Sequence, residues 1–120
     1  MIRNEENKFE AIFFQTKSGA EPVREWLKEL DIKDRKIIGF DIKTVQYGFP
    51  VGMPLVRPMG SGIYEVRSAL NSRRISRVFF CVESETIILL HGFIKKTQQT
   101  PEKELELARK RYKEVIGNVK

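Results

Sequence analysis

Between residues 57 and 96 stand seven basic side chains, Arg57, Arg67, Arg73, Arg74, Arg77, Lys95 and Lys96, against three acidic ones, Glu65, Glu83 and Glu85. They are interleaved with bulky apolar residues in the runs GIYEVRSALNSRRISRVFF and ETIILLHGFIKK, which therefore read as β-strands. A guanidinium is planar, permanently charged and matched to two phosphate oxygens. A sheet that is apolar on one face and carries arginines on the other is suited to hold a polyanion, with RNA as the leading candidate. Alternation sorts the side chains: Glu65 and Arg67 share parity against Tyr64 and Val66, and Arg73, Ile75 and Arg77 share parity against Arg74, Ser76 and Val78. On the last strand His91 shares parity with Leu89, Phe93 and Lys95. The bland alternative is a solvated sheet face whose charges discourage aggregation.

The scaffold for such a face is 120 residues long, enough for one domain that buries about two-thirds of the surface its unfolded chain exposes. The apolar share of 41% and charged share of 32% describe a globular chain rather than a disordered one. The net charge of +6 favours nucleic acid, ribosome or an acidic protein as partner. One cysteine, Cys81, lies in the apolar run VFFCV, which excludes an intrachain disulfide and reads as a buried thiol. A lone histidine and a lone cysteine give no metal-ligand spacing, so neither metal nor cofactor is expected. The start MIRNEENKFE has no signal-peptide core, and apolar runs such as Thr86 to Leu90 are too short for a bilayer; a cytoplasmic protein without membrane contact is expected.

Element by element, Phe9 to Phe14 reads as a strand, apolar on both faces and so covered, ending at the turn cluster Lys17-Ser18-Gly19. Pro22 opens a helix whose stripe Val23, Trp26, Leu27 and Leu30 runs to about Asp31. A second helix from Lys33 carries Ile37, Ile38, Ile42 and Val45 until Tyr47-Gly48-Phe49-Pro50 stops it. The stretch Gly48 to Gly62 holds three of the five prolines and four of the eight glycines and reads as a linker. Strands are predicted over 63–69, 73–82 and 86–94, and Thr100-Pro101-Glu102 starts a final helix to about Ile116. The order β-α-α-β-β-β-α defines an α+β domain over residues 1–120, with a small, mainly antiparallel sheet and helices gathered on one face.

The segments Pro54-Leu55 to Pro58, Gly62-Ile63-Tyr64-Glu65-Val66-Arg67, Arg77-Val78-Phe79, and Leu90-His91-Gly92-Phe93-Ile94-Lys95-Lys96-Thr97, followed by Pro101 and Ala108, resemble the RelE/ParE toxin superfamily, specifically its HigB-like, phage-related branch. The likeness covers nearly the whole chain. It implies the microbial RNase fold and a type II toxin that enters the ribosomal A site and cleaves mRNA, held inactive by a cognate HigA-like antitoxin. On that resemblance Glu65 and Arg67 fall on the strand that carries active-site side chains, Arg77 matches the arginine at the scissile phosphate, and Lys95 and Lys96 match basic residues after the last strand. Arg73 is expected near the active site or on the RNA backbone, and Arg74, Arg57 and His91 on bound RNA. The rival within the superfamily is a ParE-like gyrase poison; outside it, a non-catalytic RNA-binding regulator.

The residues suit the implied chemistry. Without a metal, RNA is cut by its own 2′-hydroxyl, which must be aligned and deprotonated while the phosphorane charge is stabilised and the leaving 5′-oxygen protonated. Arg77 is the first choice for the phosphorane charge and Arg67 the second. Glu65, the one carboxylate on the basic face, is the candidate base, with Lys95 or His91 as substitutes.

Overall fold

The computed structural model describes residues 9–95 and 101–119. Its elements are β1 (Glu10–Phe13), α1 (Pro22–Lys28), α2 (Ile32–Gly48), β2 (Val56–Gly60), β3 (Ile63–Ala69), β4 (Ile75–Glu83), β5 (Thr86–Lys95) and α3 (Glu102–Val119). The five strands form one sheet in the order β1-β5-β4-β3-β2, antiparallel except where β1 runs parallel to β5. Lys96 and the expected cap Thr100 lie outside the described residues.

β4 explains the layering. Its side chains are buried on both faces from Ser76 to Cys81, as a central strand requires. Phe79 and Cys81 pack with Leu105, Ala108 and Val115 of α3, whereas Val78 and Phe80 pack with Val23 of α1 and Ile38 and Val45 of α2. Successive residues of a strand point to opposite faces, so the helices divide: α3 covers one face, α1 and α2 the other. The expectation that all helices gather on one face is corrected by β4 itself, which is apolar at both parities and needs cover on both sides. Burial pushes the Cys81 thiol up to about 12, with Glu83 adding to the effect.

Three further expectations change. The proline- and glycine-rich linker contains β2, paired with β3 from Val56↔Val66 to Gly60↔Ile63. Pro58 is tolerated because β2 is an edge strand, where a missing N–H costs no ladder bond on the open side. β1 is the opposite edge and is only partly covered, with Ile12 41% exposed. β4 begins at Ile75 rather than Arg73, because Ser72 and Arg73 both hold positive φ, 63° and 61°, in the turn that closes the β3–β4 hairpin.

Two glycines are steric necessities. A Cβ on Gly92 of β5 would strike the Trp26 ring of α1, and one on Gly62, at φ +89°, would strike the Tyr112 hydroxyl of α3. Trp26 thus packs against the sheet at Gly92, as its stripe predicts.

Candidate functional site

The strand register assembles the basic residues. Arg57 stands opposite Glu65, Glu65 opposite Phe79, and Phe79 opposite His91. In the next row Arg67 is opposite Arg77 and Arg77 opposite Phe93; beyond it Ile75 is opposite Lys95. Opposed residues in an antiparallel ladder share a face. Arg57, Glu65, Arg67, Arg77, His91 and Lys95 therefore all stand on the α3 side, with Arg77 at the centre of the group. The sequence expectation of a shared face holds for Glu65, Arg67, Arg77 and Lys95, and the register adds Arg57 and His91.

Their exposure differs from what alternation suggests. Arg57, Arg67, His91 and Lys95 are half-buried, but Arg77 and Glu65 are both 0% exposed. One terminal guanidinium nitrogen of Arg77 donates to both carboxylate oxygens of Glu65, at 3.2 Å each. The expectation that Arg77 and Glu65 lie open on the surface is corrected. A charged group on a central strand survives burial when a partner of opposite sign comes with it, and the carboxylate two residues from Arg67 supplies that partner.

His91 owes its position to a β-bulge. Phe79 faces His91 while Phe80 faces Leu89, so β5 carries one extra residue, Leu90, at this point. The bulge changes the parity of β5: Leu89 faces α1 and α2, whereas Leu90, His91, Phe93 and Lys95 face α3. The shared parity of His91 with Leu89 is thereby corrected. α3 holds the bulge at two points, since Arg111 donates to the Leu90 carbonyl at 2.8 Å and Glu104 meets His91 Nε2 at 2.5 Å. The imidazole also lies alongside Phe79 and Phe93, with ring centroids 6.4 and 5.9 Å away. Its side chain remains 16% exposed and that of Glu104 20%. A half-buried imidazole backed by a carboxylate is the arrangement from which proton transfer is performed.

Glu104 and Arg111 escape the sequence reading of the site. The available signal is their spacing: both fall on the stripe of α3 that carries Leu105, Ala108 and Val115, where a charge needs an internal partner.

The remaining candidates separate. Arg74 is turned to the opposite face, where its two terminal nitrogens donate to the Asp34 carboxylate of α2 at 2.7 and 3.0 Å. Hydrogen bonding from Arg74 holds the Asp34 carboxyl below its ordinary value against the opposing effect of burial. Arg74, expected on bound RNA, thus clasps α2 to the hairpin on the face opposite the other strand candidates. Arg73 is exposed in the turn, outside the strand alternation that grouped it with Arg77.

A cavity of about 280 Å³ opens beside Arg67, walled by Pro54, Leu55, Ala69 and Ile75. A larger one, about 630 Å³, runs along β1 between Ile12, Phe14 and Val115, on the far edge of the sheet from Arg57 and Arg67. The small cavity is the relevant one because it shares a wall with the basic cluster. Among the described residues no group of His, Cys, Asp and Glu is arranged to hold a metal ion, and no helix is long and apolar enough to cross a membrane.

A five-stranded, mostly antiparallel sheet with three packed helices is compatible with a RelE-like fold. Residues 25–113 match the model of the phage-derived Gp49-like protein family (DUF891), and the chain belongs to that family. Gp49-like proteins form a RelE/toxin-like family. No curated protein matches the chain.

Proposed function

We propose that this chain is the toxin of a type II toxin-antitoxin pair of the HigB-like kind, a metal-free endoribonuclease that stops translation by cutting ribosome-bound mRNA in the A site. Its partners on this reading are mRNA, the ribosome and a cognate HigA-like antitoxin, in the cytoplasm. The observation that carries the reading is the single sheet face on which Arg57, Arg67, His91 and Lys95 surround the buried Glu65–Arg77 pair. Membership of a toxin-like family supports the toxin role.

The reaction divides among these groups as follows. The 2′-hydroxyl attacks its own phosphorus, the bond to the 5′-oxygen breaks, and the products are a 2′,3′-cyclic phosphate and a 5′-hydroxyl. Arg67 donates to the non-bridging oxygens as their charge rises. His91, oriented by Glu104, takes the 2′-hydroxyl proton, and Lys95 delivers one to the leaving oxygen. Arg67 and His91 stand two strands apart and about two residues along the ladder, roughly 12 Å between backbones, a gap that their side chains and one phosphate fill. Glu65 and Arg77 form the floor beneath this gap and act as positioning residues. Arg73 and Arg57 extend the basic surface along the RNA backbone, which adds salt-dependent affinity.

Expression in a bacterial host with primer extension on its transcripts tests this function. Growth arrest with new 5′-hydroxyl ends inside coding regions is the expected outcome. Arrest with intact transcripts and DNA damage would replace it with gyrase poisoning, and binding of RNA without cleavage would leave a non-catalytic regulator.

A further inference from the structure

On the far side of the molecule, the outward face of α2 carries Lys33, Lys36, Phe40, Lys43 and Tyr47, all exposed, at spacings of three, four, three and four residues. These positions form one continuous stripe along the helix, a seam of two aromatic rings among three lysines. Phe40 is 71% exposed, Tyr47 39%, and Ile32, one turn before Lys36, 57%. A large aromatic ring that far out in the middle of a 17-residue helix is unusual for a surface that meets only water. The charge on the face is of one sign. The two carboxylates of α2 point elsewhere: Asp34 is buried against Arg74, and Asp41, half-buried, lies on the flank toward the sheet. Arg35 on the other flank adds to the positive charge.

We infer that the outer face of α2 is the docking surface for an acidic amphipathic helix of a partner protein. The seam is about 21 Å long, sufficient for four turns of a docked helix. Phe40 and Tyr47 enter between the apolar residues of that helix, and Lys33, Lys36 and Lys43 pair with its flanking carboxylates, which select it over neutral or basic helices. Charge complementarity decides the class of occupant: a second copy of this chain would bring three lysines against three lysines. RNA is the disfavoured polyanion here, because a convex helix that presents Phe40 at its centre offers no groove along which a phosphate backbone can run. The sheet lies between this surface and Arg67, His91 and Lys95, so a partner bound to α2 leaves the basic cluster open. The inference rests on the α2 surface alone and stands whether or not the chain cleaves RNA.

The test uses a 21-residue helical peptide with leucine along its seam and glutamate on both flanks, titrated into the isotopically labelled full chain and followed by amide shifts. Saturable micromolar binding, with shifts confined to residues 32–48, is expected. Replacing every glutamate by glutamine should weaken binding at least tenfold, as should Phe40→Ser or the pair Lys36→Glu/Lys43→Glu in chains whose melting is unchanged. Absence of binding, equal affinity for both peptides, or indifference to Phe40→Ser would overturn the inference. A 15-nucleotide polyuridylate that shifts the same α2 residues at lower concentration than the peptide would overturn it in favour of RNA.

Discussion

Arg74 and Arg77 stand three positions apart, yet the two arginines serve opposite faces of the sheet in different ways. Arg74, on the α2 side, makes a two-pronged clasp with Asp34 at 2.7 and 3.0 Å and keeps its side chain 27% exposed. Arg77, on the α3 side, is fully enclosed and gives one nitrogen to both oxygens of Glu65 at 3.2 Å. The clasp joins one helix to one hairpin at the rim, where water already solvates part of the charge. The enclosed pair sits under the basic cluster, where neither charge has water to fall back on. The lesson is that an arginine at a conspicuous position can be the support of a site rather than its working group. Arg67, one strand away, is half-buried instead, and in the proposed function it is the arginine that meets the RNA.

The largest effect should come from breaking the enclosed pair. Arg77→Ala is expected to lose about 3–5 kcal/mol of stability, because it takes a charged partner away from a fully buried carboxylate. Urea unfolding measures this, and the double variant Arg77→Met/Glu65→Leu should recover most of the loss. A loss below about 1 kcal/mol would mean that the pair behaves like a surface bridge, and the contrast between the two faces would fail. For the same reason an inactive Arg77→Ala would say little about catalysis unless its folding were checked.

On the α1 side the support is steric rather than ionic. Gly92→Ala drives a methyl group into the Trp26 ring and should cost about 1–3 kcal/mol, visible as a lowered melting temperature with altered Trp26 fluorescence. Unchanged values would mean that α1 shifts freely over β5.

The smallest effect should come from the rim clasp, and its signature is its pH dependence. Arg74 lowers the folded-state carboxyl of Asp34 below its ordinary value of about 3.8. The clasp therefore adds stability above that pH and loses it as the pH falls through the lower folded value. Asp34→Asn should lower the melting temperature at neutral pH and flatten its decline below about pH 4. A variant that melts with the same acid limb as the parent would remove Arg74 from any role in holding α2.

Much of this was legible in the residues. Runs rich in β-branched and aromatic residues located β1, β3 and β5, and helical spacing of apolar residues located all three helices. β2 was hidden, since Pro58 and the flanking glycines are breakers in most settings and harmless only on an edge that no local pattern announces. For the site, parity alone put Glu65, Arg67 and Arg77 on one face. Depth was not legible: alternation tells which way Arg77 points but not that cover lies above it. The bulge at Leu90 was equally invisible, because an extra residue leaves no mark in a strand already apolar at both parities. It nevertheless moves His91 to the α3 side and into reach of Glu104. Parity put Arg74 on the face opposite Arg77, where it stands, but its clasp with Asp34 was not legible because it spans 40 residues of sequence.

The most direct test of the central claim compares the two faces in a reconstituted translation system, with mRNA cleavage by the parent chain, Arg67→Ala and Arg74→Ala measured below the melting temperature of each. Arg67→Ala should fold normally and cut about a hundred to a thousand times more slowly, whereas Arg74→Ala, though less stable, should cut at close to the parent rate. Undiminished cleavage by Arg67→Ala, or a loss confined to Arg74→Ala, would contradict the assignment of the α3 face as the catalytic surface.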